Sequence, residues 1–199
     1  MALLEQQLGQ DYPVHPQEIL KISTPHYTSR FRALDFSCGL GCFYLDMHLE
    51  DDLEVFFDIE RYHPLRFLYC TEGGGLHSGV SGHLQHQIKA GQFIAYACIQ
   101  GQEQVIRFPG RQVVKCLGIQ LIRHDVIQHR DTSQLPSSIR NVIEDTQAKQ
   151  PYLLHQAYAP VIAACLVDAI QNTKTEFSGN LLFEANALEI LAYQLDEYH

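Results

Sequence analysis

The sequence predicts a mainly β protein with C-terminal helices, in which an antiparallel β-barrel is followed by an antiparallel helix pair. Between Arg32 and Ile122, apolar residues alternate with polar ones in short runs separated by Gly, Pro or paired Asp residues. This spacing is typical of antiparallel sandwiches and barrels. After Ile122 the apolar period lengthens to that of helices. With 199 residues, 46% of them hydrophobic, the chain can bury a sizeable core.

Three regions are expected from these changes of pattern. Residues 1–31 are polar and carry three prolines, and we expect an N-terminal arm there. Residues 32–122 are expected to form the barrel. Residues 123–199 are expected to form a helical linker followed by dimerisation helices.

Eight strands are expected within the barrel region. Glycines 73 to 75 are expected to form a turn after the strand LRFLYCTE, and Ala90-Gly91 another sharp reversal. The expected strands cover residues 33–37, 42–49, 53–60, 65–71, 83–89, 93–99, 102–108 and 113–122.

Four helices are expected after the barrel. The segment RHDVIQHR indicates a short helix, and Ser137 is a candidate N-cap for a second one after Pro136. A third helix is expected to begin at Pro160, because proline suits the first helical position. The fourth is expected over Leu181–Tyr198, after a loop at Ser178-Gly179.

The last of these helices is apolar around most of its circumference. A surface helix needs one buried face only, so this helix is expected to be covered on two sides, once by its own domain and once by a second copy of the chain. Complete burial within a monomer is the alternative. The expected dimer interface consists of Leu181, Ala185, Leu188, Ala192 and Leu195.

Composition narrows the classes of function. The net charge is −9 and no Lys/Arg cluster occurs, which argues against direct contact with a phosphate backbone. The six cysteines are scattered without a CxxC pair, which indicates buried reduced thiols. The segment MALLEQQLGQDYPVH lacks the basic start and apolar run of a signal peptide, and no apolar stretch reaches the roughly 20 residues that span a bilayer. A cytoplasmic protein without membrane contact is therefore expected.

No catalytic motif is recognisable. The chain lacks a GxSxG sequence, and its glycine triplet is not followed by the Lys-Ser/Thr pair of a phosphate-binding loop. His77, His83 and His86 lie near Glu72, but the His83-x-x-His86 spacing places these two side chains on opposite faces of a strand. We therefore expect no metal, no cofactor and no catalytic residues.

The interior of the barrel is the expected ligand site. A small antiparallel barrel can hold one small molecule, and aromatic faces beside cationic groups suit an aromatic or anionic one. A fully packed barrel without a ligand is the alternative. The candidate ligand-binding residues are Tyr69, His86, Phe93, Tyr96 and Arg107.

Several segments resemble the amino-terminal domain of AraC/XylS-type transcriptional regulators. The resemblance covers residues 32–199 and includes FSCGLGCFYLDMHLEDDLEVFFDIERYHPLRFLYCTEGG and IKAGQFIAY. Its most specific part is LLFEANALEILAYQLDEY, which is similar to the terminal sensor helix of the siderophore-responsive branch typified by the pyochelin regulator.

The resemblance implies a cupin-like sensor barrel that binds a small effector, such as a siderophore, and a helical segment that forms a homodimer. It also implies that DNA is bound only through a C-terminal domain with two helix-turn-helix units. That domain would begin at about His199, so an excised sensor domain is expected. A non-enzymatic regulator is the favoured reading, and a cupin-type metalloenzyme or a ligand-free interaction module are the alternatives.

Overall fold

A computed structural model describes residues 20–23, 26–57, 63–79, 85–99, 102 and 104–198. Within these ranges the chain forms eleven β-strands, a short 3₁₀ helix and four α-helices. The strands are β1 Leu20–Ser23, β2 Tyr27–Asp35, β3 Leu40–Leu49, β4 Leu53–Phe57, β5 Leu65–Glu72, β6 Gly74–Ser78, β7 Gln85–Lys89, β8 Gln92–Ala97, β9 Gln104–Phe108, β10 Gln112–Leu121 and β11 Tyr152–Ala157. The helices are the 3₁₀ helix Ser37–Gly39, α1 Arg123–His129, α2 Ser137–Glu144, α3 Pro160–Gln171 and α4 Phe177–Asp196.

The strands form two antiparallel sheets that face each other. The larger has the order β1-β2-β3-β10-β5-β8-β11, and the smaller has the order β4-β9-β6-β7. Within the described ranges no ladder joins the two, so a sandwich of two sheets takes the place of the single closed barrel that was predicted. An alternating pattern of apolar residues is compatible with a sandwich and with a closed barrel, because both bury one face of each strand. The predicted class, mainly β with C-terminal helices, is confirmed.

The central strands of the seven-stranded sheet are buried on both faces. Strand β5 shows this best, since Leu65 to Cys70 are all buried. Phe67 and Tyr69 pack in the cluster that includes the C-terminal helices, whereas Leu68 and Cys70 pack against the smaller sheet. Neighbouring residues of one strand therefore belong to two separate cores.

Helices α3 and α4 form an antiparallel pair against the larger sheet. At the connection between the two helices, the side-chain amide of Asn172 donates to the carbonyl of Gly179 at 2.9 Å. Farther along the pair, Cys165 of α3 lies beside Glu189 of α4. The buried residues of the pair that pack on the sheet include Ile162, Leu166, Phe183 and Ile190. None of the described helices combines the length and the apolar character needed to cross a membrane.

Four strands lie wholly or partly where the sequence indicated other structure. β1 and β2 begin within the expected N-terminal arm, and β2 pairs along β3 from Tyr27 to Asp35. β6 begins within the expected glycine turn, where only Gly73 bends the chain, with φ of 74°. A Cβ atom at Gly73 would collide with the Val113 carbonyl oxygen. β11 pairs with β8 inside the region expected to be helical.

Smaller corrections concern element ends. α4 begins at Phe177, so the expected loop residues Ser178 and Gly179 lie in its first turn. Ser137 is the first residue of α2 rather than its cap, and Pro136 occupies the cap position. Positions 58–60, 83–84 and 103 of the predicted strands lie outside the described residues. All six cysteines are free thiols, and Cys38 is the one that is half-buried rather than buried.

Arg32 of β2 joins the sheet to the helix pair. It is 2% exposed, and its Nη1 donates to the Asn172 carbonyl at 2.8 Å. Its Nη2 donates to the Gly179 carbonyl at 3.3 Å and to Oδ1 of Asn180 at 2.8 Å. The guanidinium also lies 4.3 Å from the ring centroid of Phe183. One side chain thus holds the end of α3 and the start of α4 on the sheet.

Replacing Arg32 by Met is expected to lower the free energy of unfolding by about 2–4 kcal/mol, because the partly buried Asn172 carbonyl and Asn180 side-chain oxygen lose their donor and the Gly179 carbonyl loses one of its two. Arg30→Met is the matched control. Arg30 lies two residues away in the same strand and pairs with Asp46 at the surface, so its loss is expected to cost about 1 kcal/mol or less. Urea denaturation measures both values, and equal losses would contradict the role of Arg32.

Candidate functional site

Tyr69 and Phe93 face the helices and not the space between the sheets. Their rings stack with centroids 5.5 Å apart, and both side chains are 0% exposed. The hydroxyl of Tyr69 donates to Oε1 of Gln194 in α4 at 3.3 Å. These two predicted ligand residues therefore form part of the contact between the sheet and α4.

Tyr96 and His86 lie on the other side of the larger sheet. Tyr96 is 1% exposed and belongs to the core between the two sheets. His86 is half-buried in β7, and its Nε2 is buried without a hydrogen-bond partner. These two residues remain candidates for an interior site.

Arg107 points away from the interior. Its neighbours Ile106 and Phe108 are buried between the sheets, so alternation turns Arg107 to the outside of β9. There its Nε donates to Oε1 of Glu54 at 2.7 Å, directly across the strand pair. The five predicted residues thus occupy three different places, so only some of them can line one cavity.

A polar cluster does lie between the sheets, at the end where β5, β7 and β9 begin. We call it the interior cluster, and it comprises His77, Tyr96, Arg66 and Gln104. Nη1 of Arg66 donates to Oε1 of Gln104 at 3.3 Å, and the amide of Gln104 contacts the thiol of Cys98. The rings of His77 and Tyr96 lie 4.3 Å apart between centroids.

His77 is the most unusual member of the interior cluster. It is 0% exposed, and neither of its ring nitrogens has a hydrogen-bond partner among the described residues. It lies directly across the β6–β7 ladder from His86. The Tyr96 hydroxyl, likewise buried, makes no hydrogen bond of good geometry, although Arg66 is close to it. Buried polar groups in native proteins nearly always have partners, so these atoms indicate a place where another molecule can supply them.

Burial sets the charge states of the interior cluster. It lowers the pKa of His77 to about 4, and the nearby His86 and Arg66 lower it further. It raises the pKa of Tyr96 to about 12, an effect that Arg66 opposes. Burial also lowers the pKa of Arg66. At neutral pH the cluster therefore offers a neutral imidazole, a neutral phenol, a guanidinium and an amide.

These groups are suited to binding rather than to acid–base chemistry. A neutral imidazole gives one donor and one acceptor, and the phenol and amide add both kinds. Among the described residues no three His, Cys, Asp or Glu side chains converge as metal ligands. His83, the third histidine of the sequence cluster, lies outside the described residues. The ligand-binding roles of the five predicted residues stay a prediction.

The sequence pattern missed Arg66 and Gln104, and it named His77 only in the histidine cluster near Glu72 and not among the ligand-binding residues. A lone arginine inside the apolar run LRFLYC is the signal that could have identified Arg66, because such a residue is buried with the strand. His77 was hidden because the glycines before it indicated a turn, which left its strand unrecognised.

The low pKa of His77 makes stability depend on pH. The unfolded chain binds a proton near pH 6.5 and the folded chain only near pH 4, so stability falls as the pH is lowered across this window. The variant His77→Gln cannot titrate at this position. Between pH 7 and pH 4 its free energy of unfolding is expected to fall by up to about 3 kcal/mol less than that of the wild type. The exposed His124→Gln is the control. Urea denaturation across this range measures the difference, and equal pH dependence in all three proteins would contradict it.

Solved structures with a similar course of the chain share little sequence with it. The bacterial pirin YhhW from Escherichia coli, in complex with nickel(II), is 11% identical, with 72% of this chain and 56% of that chain covered and a TM-score of 0.45. A Cupin 2 conserved barrel domain protein from Salinispora arenicola is 8% identical, with 60% and 93% covered and a TM-score of 0.40. The matched part spans 56% and 52% of the first two such structures, the second being protein Ylba from E. coli.

Sequence comparison is more specific. A search of curated proteins gives no significant match. A family model described as the regulatory protein PchR N-terminal domain matches residues 28–198, which is most of the chain and nearly all of the described structure. This match begins within β2 and ends after α4, so it includes the helix pair, the smaller sheet and all of the larger sheet after the start of β2. The chain belongs to the family of PchR N-terminal regulatory domains.

Proposed function

We propose that this domain senses a small effector between its two sheets and forms a homodimer through its C-terminal helices, as part of a cytoplasmic AraC/XylS-type transcription regulator. It acts by binding and not as an enzyme. DNA is contacted by a helix-turn-helix domain that follows these residues in the regulator. Membership of a family of regulatory domains supports this role.

The interior cluster is the observation that carries the proposal. His77 is completely buried and has two ring nitrogens without partners within the described ranges. Leaving such a group unsatisfied costs about 1–3 kcal/mol, which a purely structural core could avoid with an apolar residue. An effector that supplies a donor and an acceptor would recover this energy on binding.

The chemistry of the cluster limits the effector. Arg66 favours an anionic or electron-rich group, and the ring of Tyr96 offers an aromatic face. The surrounding side chains are apolar, including Ile88, Ile94 and Ile106. A small, partly aromatic molecule with an anionic or phenolic group fits these properties. Within this class, a siderophore is the candidate that the family resemblance suggests.

Strands β5 and β8 provide a route from the effector to the helices. Arg66 and Tyr96 lie opposite each other on these strands and face the interior. Tyr69 and Phe93, also opposite each other, face α4, where Tyr69 bonds to Gln194. A shift of either strand moves both sets of side chains. The effector can bias the helices only by binding two arrangements of these strands with different affinity.

A thermal-shift screen that includes siderophores with and without iron tests the binding role. At a hundredfold excess over Kd, an effector is expected to stabilise the protein by roughly 2.7 kcal/mol. His77→Gln is expected to lose most of this stabilisation, and His124→Gln is expected to keep it. An effector that stabilises His77→Gln as much as the wild type would place binding elsewhere.

The outer face of the helix pair supports dimerisation. Of the predicted interface, Leu181, Ala185 and Ala192 are exposed, whereas Leu188 and Leu195 are half-buried against the domain's own core. Large apolar side chains next to them are also exposed. They are Leu182 and Tyr193 on α4 and Val161 and Val167 on α3. A surface of this kind on a helix pair is suited to burial against the same surface of a second copy.

Leu181→Asp tests the dimer, because Leu181 is 49% exposed and its replacement leaves the core intact. A charge in an apolar interface is costly to desolvate, so dissociation to a folded monomer is expected. Ile127→Asp on α1 is the matched control, since Ile127 is an exposed apolar residue away from the helix pair. Sedimentation at micromolar concentration distinguishes the outcomes. A monomeric wild type, or a Leu181→Asp variant that stays dimeric, would contradict this interface.

A further inference from the structure

A second polar site lies on the opposite side of the larger sheet, where β2 and β3 meet the turn between α3 and α4. A cleft opens there, with about 320 Å³ of space including the part open to solvent. We call it the hinge cleft. Its wall combines two arginines and a tyrosine with the apolar side chains of Ile170 and Phe183. The residues that the argument uses are Arg30, Arg32, Tyr44, Asn172, Thr173 and Phe183.

The charge of Arg32 is not neutralised by a carboxylate among the described residues. Its hydrogen bonds go to the carbonyls of Asn172 and Gly179 and to the side-chain oxygen of Asn180, all of which are uncharged. Nε of Arg32 is buried and has no hydrogen-bond partner in the part of the chain that the structure describes. A buried cation without a counter-ion is costly, which is why burial lowers the pKa of this arginine. The hinge cleft therefore favours an anion.

Tyr44 provides a second donor beside Arg32. The two residues are directly opposite each other in the β2–β3 ladder, so their side chains share one face. Tyr44 is 7% exposed, and its buried hydroxyl makes no hydrogen bond of good geometry to the described residues, although Asp46 is close to it. Burial, together with the nearby Asp46, raises its pKa, so the hydroxyl keeps its proton and remains a donor.

The rim of the cleft does not cancel this positive charge. Asp46 is the nearest carboxylate, and Arg30 binds it with Nε at 3.1 Å and with a second, shorter contact. Arg30 and Asp46 therefore neutralise each other. The charge of Arg32 is left in excess at the cleft.

We propose that the hinge cleft binds the carboxylate group of a small molecule through Nε of Arg32 and the hydroxyl of Tyr44. Two donors on one face of neighbouring strands can serve the two oxygens of a planar carboxylate. The remaining Arg32 nitrogens already have acceptors, and Ile170 and Phe183 form an apolar part of the wall. A tetrahedral phosphate has more oxygens than these two donors can satisfy, which favours a carboxylate.

This site is separate from the interior cluster. Arg32 and Tyr44 face the helices, whereas His77 lies between the two sheets. The hinge cleft also lies at the attachment of the helices, because Arg32 binds Asn172 and Gly179 at the two ends of the α3–α4 connection. A carboxylate bound there contacts the group that fixes the helix pair to the sheet.

Nuclear magnetic resonance of the arginine Nε–H groups tests the proposal with sodium acetate as the probe and sodium chloride at equal ionic strength as the reference. The Arg32 resonance is expected to shift saturably with acetate and not with chloride. Tyr44→Phe is expected to weaken acetate binding roughly tenfold, the loss of one hydrogen bond to a charged group. Tyr152→Phe, on the far edge of the same sheet, is the control and is expected to leave the Kd unchanged.

Three results would overturn the proposal: an Arg32 resonance that responds equally to acetate and chloride, an unchanged Kd in Tyr44→Phe, or inorganic phosphate binding more tightly than acetate. His77→Gln separates the two sites. It is expected to keep acetate binding at the hinge cleft even though the interior cluster is altered, so the failure of either site leaves the other testable.

Discussion

Burial of the central strands of the seven-stranded sheet on both faces is the constraint on which the rest of the structure depends. Alternate residues of β5 and β8 must satisfy two different cores, one shared with the smaller sheet and one shared with the helices. Such strands have near-continuous apolar sequences, as LRFLYC and FIAYAC show. A polar residue on either strand is therefore buried whichever way it points, and it needs a partner.

The two polar sites arise from this constraint in different ways. On the inner face, Arg66 and Tyr96 meet His77 and Gln104 of the smaller sheet. On the outer face, Arg32 and Tyr44 meet the connection between α3 and α4. In both places a buried cation lies beside aromatic rings and beside donors that the described protein groups leave unsatisfied. Sites of this kind reduce the stability of the empty protein and increase the free energy gained from a ligand.

The sequence predicted the fold class and most of the elements because alternation and helical periodicity depend on local residues. It could not predict which face of each strand is inside. Arg107 and Arg66 both lie among apolar neighbours, in QVIRF and LRFLYC, yet Arg107 is outside because Ile106 and Phe108 face the core. Because alternation does not say which face is inside, Tyr69 and Tyr96 were both predicted to bind one ligand, although the pairing of β5 with β8 places them on opposite faces of the sheet. The short strands β6 and β11 were missed, since glycines or a half-buried edge position obscure their alternation.

The central claim is that an effector satisfies the polar atoms of His77 between the two sheets. Side-chain ¹⁵N spectra of the histidines, recorded with and without a compound that stabilises the protein, test this claim most directly. The account predicts that the Nδ1 and Nε2 resonances of His77 move on binding to values typical of hydrogen-bonded nitrogens, while those of the exposed His124 stay in place. Stabilisation by the compound with unchanged His77 resonances would contradict it.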